Sequence, residues 1–260
     1  METVASESGL LAAASVLGNG VWQLPPSHLT LPPQQIHIWC LPLTDADIAG
    51  YCSLLSLDEQ RRLNRLHGET LQRRFAVGRG RLRVLLGRYL ERDPAELQFQ
   101  YGKYGKPALR SSTPTVQFNL SHSGDLALCA VAPPDCRALG IDLECSRPLA
   151  AAELARQFFS PREAEAIALL PPEEGQRAFL RMWTLKEARL KATGVGISEG
   201  LAQVEVDLDH PSRCPGEQEW TIGELTVGNG YFGAFAAIGH GWQCHYFQMN
   251  WTTKNRAIGL

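Results

Sequence analysis

Three carboxylates and two ammonium groups concentrate in two short stretches of this chain. The run Trp183-Thr-Leu-Lys-Glu-Ala-Arg-Leu-Lys-Ala192 sets Glu187 between Lys186 and Lys191, and Asp142-Leu-Glu144 lies upstream of it. Side chains two apart on a strand project from one face, so Asp142 and Glu144 would stand together with Leu143 turned away. Paired carboxylates repel unless a cation lies between them. The all-oxygen set Asp142, Glu144 and Glu187 suits a hard divalent cation. Lys186 and Lys191 could hold the phosphates that such a cation usually accompanies. Together they describe a phosphoryl-transfer site. The plainer alternatives are solvated acids at a strand end and a surface Glu187–Lys191 pair of little energetic weight, with Trp183 as a core anchor.

The elements that must carry these groups can be read from pattern. Residues 138–144 read as a strand. A helix over about 173–192 places Trp183, Glu187 and Lys191 on one side, at spacings of three and four, and Gly194 is a candidate C-cap. Ser56-Leu-Asp-Glu59 and Ser160-Pro-Arg-Glu163 are capping boxes that start two further helices. A longer helix over about 70–91 has Phe75, Gly78, Leu82, Leu85 and Tyr89 as its inner stripe and Arg74, Arg81 and Arg88 on another face. Strands are predicted over 36–40, 97–101, 116–120, 126–132, 204–208, 220–227, 231–238 and 242–249. Runs of helices and antiparallel strands, rather than alternating βα units, give an α+β class. The predicted division is an Ala/Ser/Gly- and Pro-rich extension (1–34), a first α+β half (35–134), a second half (135–250) and a tail (251–260), with Pro133-Pro134-Asp135 at the boundary.

Bulk properties exclude several classes. Hydrophobic residues make up 44% and charged residues 20% of the 260, which fits a folded soluble protein rather than a disordered one. The net charge of -2 gives no global attraction to nucleic acid. Seven cysteines without a Cys-x-x-Cys pair argue against a disulfide framework and a zinc ribbon, and for a reducing cytoplasm. The apolar run Gly9–Leu17 is too short, and has the wrong flanks, for a membrane span or a secretory signal. Ten Arg, no Lys and two acids between Arg61 and Arg92 could form a local anion site or a solvated helix face.

Two weaker motifs remain. Gly105-Lys106-Pro107 is not a Walker A loop, because Pro stands where Ser or Thr is needed, yet its Lys could reach a phosphate. Asn119-Leu-Ser121-His122-Ser123-Gly124 reads as a strand-end turn whose Ser and His donate to an anion. A Ser/His nucleophilic pair is disfavoured there, since strand neighbours point to opposite faces.

Taken in order, Tyr104-Gly-Lys-Pro-Ala-Leu109, Phe118-Asn-Leu-Ser-His-Ser-Gly124, Gly140-Ile-Asp-Leu-Glu144, Phe159-Ser-Pro-Arg-Glu163 and Trp183-x-x-Lys-Glu-Ala-x-x-Lys-Ala192 closely resemble the Sfp-type 4′-phosphopantetheinyl transferases. With Arg-Arg-Phe-Ala-Val-Gly78, the similarity spans roughly residues 36–240. It implies two similar α+β halves related by a pseudo-twofold, each a small antiparallel sheet on a long helix, with the active site between them. It implies coenzyme A as donor, Mg²⁺ as cofactor with Mn²⁺ as a substitute, and a serine of an apo acyl- or peptidyl-carrier domain as acceptor; the chain is expected to act as a monomer. By position, Asp142, Glu144 and Glu187 match metal ligands. Lys106, Ser121 and His122 match residues at the adenosine and 3′-phosphate end, Arg74 a basic residue near that phosphate, and Lys186 and Lys191 residues on the pyrophosphate. Glu59 departs from the pattern, standing where some members place a phosphate-binding Lys, with Arg62 and Arg65 as substitutes. Glu187, directly or through a water, would take the serine proton, and Lys191 would meet the leaving 3′,5′-ADP. The exposed Arg residues of the 61–92 segment, Arg79 and Arg83 among them, would face an acidic carrier. A non-catalytic regulator that binds coenzyme A and carriers is the alternative; the full set of carboxylates and lysines argues against it.

Overall fold

The computed structural model describes residues 22–45, 47–111, 116–194, 200–206, 220–228 and 230–249. The strands are β1 (Gln35–Pro42), β2 (Phe99–Tyr101), β3 (Pro107–Leu109), β4 (Gln117–Ser123), β5 (Leu126–Ala132), β6 (Leu139–Cys145), β7 (Trp220–Leu225), β8 (Tyr231–Ile238) and β9 (Gln243–Gln248). The helices are α1 (Ile48–Cys52), α2 (Leu57–Asn64), α3 (Glu69–Leu90), α4 (Ala151–Phe158), α5 (Pro161–Ala168) and α6 (Pro172–Thr193). Both capping boxes form, at Ser56/Glu59 and Ser160/Glu163. Gly194 closes α6 in the left-handed conformation at φ 73°, where a side chain would be strained. Part of the strand expected over 204–208, the tail 251–260 and residues 1–21 of the extension lie outside the described residues.

The layers follow from which faces are apolar. The first sheet has the order β4-β5-β1-β9 and the second β6-β8-β7, while β2 and β3 form a separate hairpin. Every residue of β5 is buried, because both of its faces are covered. On one face, Trp39, Leu41, Ala127, Cys129 and Val131 pack on Val77, Leu82, Leu85 and Leu86 of α3. On the other, Ile36, Ile38, Cys40, Leu128 and Ala130 meet Leu139, Ile141, Leu143, Phe235 and Ala237 of the second sheet. The far side of that sheet, through Ile222, Ala234 and Ala236, packs on Leu185, Ala188 and Ala192 of α6. The protein is α+β with two halves, each a sheet against a long helix, α3 or α6, and the sheets face each other.

The first sheet is not wholly antiparallel. β9 pairs in parallel with β1, with His37 opposite His245. Residues 243–248, expected within the second half, are therefore hydrogen-bonded to the first. The end of the expected extension straps onto the same strand: the Gln23 amide donates to the Tyr246 carbonyl at 2.9 Å and the Gln23 carbonyl accepts from Gln248 at 2.9 Å.

The arginines of α3 correct one expectation. Arg79, Arg81 and Arg83 are buried rather than presented to a carrier. α3 is enclosed, with the sheet on one side and α1, α2 and the 94–97 turn on the others. Glu59 is the anion they require. Its Oε2 accepts from Arg83 Nε at 2.8 Å and its Oε1 lies 3.3 Å from Arg79 Nε. Arg83 also donates to the carbonyls of Pro94 and Leu97, both at 2.9 Å. Arg81 pairs with Asp45 at 2.8 Å.

Glu59→Ala leaves two guanidinium groups buried without their carboxylate, so it should lower unfolding free energy by roughly 3–5 kcal/mol. Arg61→Ala, at the exposed pair with Asp58, should cost under about 1 kcal/mol. Denaturant titration of both variants measures the contrast.

Candidate active site

The two sheets meet at their edges, where β4 runs beside β6, and the join is made by side chains. Asn119, Ser121 and Ser123 alternate along β4 on the side towards β6. Asn119 Oδ1 accepts from the Ile141 amide at 2.8 Å, and Ser123 Oγ accepts from the Cys145 amide at 3.0 Å. Ser121 Oγ donates to Asp142 Oδ1 at 2.8 Å, and Ser123 Oγ to Glu144 Oε2 at 3.3 Å.

Helix α6 lies directly on β6, and Gly140 makes this possible. A Cβ built there would fall 1.9 Å from the Ala188 carbonyl oxygen and 2.5 Å from the Ala192 amide. The helix backbone thus rides on the strand backbone, and the next turns carry Glu187 and Lys191 over the strand's acids. Lys191 Nζ lies 2.5 Å from Asp142 Oδ1 and 3.0 Å from Ser121 Oγ. Above them opens a cavity of about 320 Å³, walled by His122, Glu144 and Trp183 as well as these groups.

The electrostatics of this pocket are strained. Asp142 and Glu187 are each only 3% exposed. Asp142 Oδ2 and Glu187 Oε1 are buried with no hydrogen-bond partner. Leaving such atoms unpaired is costly, and a further group bound beside them could relieve that cost. Burial pushes the Glu187 carboxyl up to about 7, the charges of Asp142 and Glu144 add to this, and Lys191 opposes it. Glu144 is less enclosed and pairs with Arg147 at 2.8 Å. Among the described residues, no three His, Cys, Asp or Glu side chains are gathered closely enough to form a finished metal cage. The fit to a hard cation rests instead on the all-oxygen donors and the two orphaned oxygens, with Lys191 taking up the other oxygen of Asp142.

Basic groups surround the mouth. His122 has its surface open to solvent, yet its imidazole is held below the usual pKa, by partial burial first and then by Lys191, Arg62, Arg79 and Arg74. Arg74 pairs with Asp125, on the β4–β5 turn, at 2.9 Å.

Residues 138–232 match the 4′-phosphopantetheinyl transferase superfamily, and residues 42–134 match the N-terminal domain of 4′-phosphopantetheinyl transferases. The chain is 42% identical over 229 residues to the 4′-phosphopantetheinyl transferase HetI of Nostoc sp., covering 85% of this chain and 95% of that protein. The chain belongs to the 4′-phosphopantetheinyl transferases. It is also 30% identical over 203 residues to a phosphopantetheinyl transferase of Thraustochytrium sp., covering 70% of this chain and 68% of the relative. With Sfp of Bacillus subtilis the identity is 29% over 167 residues, covering 64% and 72%. The protein is a transferase that modifies carrier proteins with 4′-phosphopantetheine.

Of the residues expected in the transferase site, the structure gathers Asp142, Glu144, Glu187, Lys191, Ser121 and His122 around one cavity. Arg74 and Arg62 stand at its basic margin. Arg62 is exposed, with its guanidinium 5.4 Å from the centre of the Phe75 ring. Arg65 is exposed beyond the end of α2.

Lys186 is a correction. Successive helix residues point about 100° apart, so beside Glu187 it faces away from the cavity. It is fully buried, lies 2.8 Å from Glu163 Oε2, and donates to the Leu201 carbonyl at 3.0 Å and to the carbonyl of Val204. It anchors α6 to α5 and does not line the cavity that Glu187 and Lys191 share. Lys106 also stands apart: its ammonium donates to backbone carbonyls, and it lines a larger cavity of about 760 Å³ between the β2–β3 hairpin, β4 and Gly194.

Sequence reasoning missed Asp125 and Arg147, and it read Asn119 and Ser123 as part of an anion-binding turn rather than as the contacts to β6 that they make. The alternation Asn119-x-Ser121-x-Ser123 was the available signal for those contacts. Asp125 and Arg147 carried none, being single charges in turns.

Gly140→Ala should push α6 off β6 and part Glu187 from Asp142. It should lower stability by about 1–3 kcal/mol, the usual cost of overpacking, and lower turnover by more than thermal unfolding at the assay temperature explains. Melting curves and initial rates on one preparation test this.

Proposed function

We propose that the donor is coenzyme A, bound between the halves, and that Asp142, Glu144 and Glu187 hold the Mg²⁺ used by the reaction. The observation that carries the reading is that Asp142 and Glu187, each with one buried oxygen lacking a hydrogen-bond partner, line one cavity together with Glu144 and Lys191. The carrier serine Oγ attacks the β-phosphorus of coenzyme A. A new P–O bond forms to serine, the bridging P–O bond to the α-phosphate breaks, and adenosine 3′,5′-bisphosphate leaves. A bound Mg²⁺ would neutralise pyrophosphate charge as it shifts to the leaving group.

The protein's own groups do the rest. Without a cation, burial holds the Glu187 carboxyl up to about 7; a bound Mg²⁺ would lower it, leaving a carboxylate that accepts the serine proton directly or through a water. Lys191 reaches the same small volume and stabilises the charge growing on the leaving bisphosphate. Ser121 holds Asp142 in place. His122, Arg74 and Arg62 form the basic margin for the 3′-phosphate, with Arg65 as an outlying contributor. The adenosine fits the larger cavity, where Lys106 contributes its stem and backbone. Residues 35–134 thus mainly bind the donor and 135–250 mainly supply the acids. The remaining parts of the proposal are that the enzyme acts as a monomer in the cytoplasm. Among the described residues, no helix is long and apolar enough to cross a membrane.

Glu187→Gln keeps the shape but removes the proton acceptor, so turnover should fall by at least ~10²-fold, while coenzyme A affinity changes less. Mass spectrometry of an apo carrier incubated with enzyme, coenzyme A and Mg²⁺ reads the product directly; near-normal rates would remove Glu187 from the chemistry. Separately, calorimetry should find dephospho-coenzyme A bound more weakly than coenzyme A, and Arg74→Ala should narrow that gap. Equal affinities in the native enzyme would refute the 3′-phosphate assignment.

A further inference from the structure

Lys106 sits on the β2–β3 hairpin of the first half, yet its ammonium is anchored in the second. It donates to the Lys191 carbonyl at 2.6 Å, to the Leu139 carbonyl at 2.9 Å and to the Ala192 carbonyl at 3.4 Å. An ammonium has three hydrogens, and here three carbonyl oxygens face them. The hairpin turn is built to deliver it: Gly102 donates to the Lys106 carbonyl at 2.9 Å, Gly105 donates to the Gly102 carbonyl at 2.9 Å, and Gly105 takes φ 79°.

The acceptors are the informative part. The last carbonyls of a helix lack intrahelical donors and carry its negative dipole end. Gly194 satisfies only Leu190, through its own amide. Lys191 and Ala192 receive Lys106 instead. Leu139 begins β6, next to Gly140, where strand and helix backbones touch. Lys106 therefore ties together the two elements that carry the catalytic acids, at the point where they are closest. The Lys191 carbonyl belongs to the residue whose ammonium lies against Asp142, so moving one moves the other.

We propose that Lys106 is a positioning residue for the transfer, acting by pinning the last turn of α6 so that Lys191 stays over Asp142. This rests on the role given to Lys191 above. Burial lowers the Lys106 pKa to about 8, in keeping with an ammonium enclosed by carbonyls rather than one waiting in solvent for a phosphate. Its stem still lines the larger cavity, so donor binding and alignment meet in one residue by different atoms.

The test uses Lys106→Met, Lys106→Arg, Lys191→Ala and the double variant Lys106→Met/Lys191→Ala, with native enzyme as reference. Lys106→Met should lower kcat roughly 10- to 100-fold, the scale expected when a catalytic group is displaced by about 1 Å. Calorimetric affinity for coenzyme A should stay close to native. Hydrogen exchange should quicken in the last turn of α6 and not in its first. Lys106→Arg should recover part of the rate. In the Lys191→Ala background, removing Lys106 should cost little more. Two results would overturn the proposal. One is loss of coenzyme A affinity matching the loss of kcat/KM with last-turn exchange unchanged, which is the behaviour of a phosphate ligand. The other is rate losses that multiply in the double variant. If Lys106→Met does not fold, Lys106→Arg carries the same comparisons. An inactive native enzyme would count against the functional reading instead, while the exchange data would still decide the pinning.

Discussion

The structure depends on the side-chain seam between β4 and β6. Sheet edges are ordinarily closed by main-chain pairing, or left open at some risk. Here Asn119 and Ser123 accept main-chain amides of β6, and Ser121 and Ser123 reach its carboxylates. The same atoms join the halves and orient the acids. The site cannot loosen without the interface loosening, and its position between the halves follows from this. The alternation of two along β4 spaces these contacts to match the alternation of two along β6.

Above the seam, the decisive constraint is the absence of a side chain at Gly140. Helix and sheet are commonly separated by a layer of side chains; here backbone meets backbone, and that closeness lets side chains as short as Asp142 and Glu187 share a pocket. The cost is electrostatic. Two buried acids with an unpaired oxygen each, and a Glu187 that holds its proton up to about 7, are tolerable because Lys191 and Ser121 cover Asp142. The first half has a parallel arrangement without catalytic purpose: Glu59 sits among Arg79 and Arg83 as a structural counter-ion. The acid at position 59 is thus the buried partner of α3.

Local periodicity made much of this readable in advance. Both capping boxes, the long helices, the Gly194 cap and the pairing of Asp142 with Glu144 depend on spacings of two, three and four, which survive folding. Glu187 and Lys191 were legible for the same reason. Lys186 was misread because nearness in sequence is not direction on a helix: Glu163, which decides where it points, lies in a different element. The arginines of α3 misled because charge usually signals solvent, and the compensating Glu59 was legible only as a helix cap. The partner of β9 was invisible, since the pairing of 35–40 with 243–248 has no local signature.

That last pairing has a bearing on how the protein is made. β1 is an interior strand of its sheet, yet one of its neighbours is β9, the last of the described strands. During synthesis from the N-terminus, the first half can gather α3, β4 and β5 around β1 long before residues 243–248 leave the ribosome. Until then one flank of β1, lined with buried apolar side chains, has its hydrogen-bonding groups open to any other extended segment. Long-range parallel contacts are slow to close and expose chains to misassociation meanwhile. The first half is therefore a poor candidate for an autonomous folding unit, and completion of its sheet waits on residues 243–248 rather than on the midpoint of the chain.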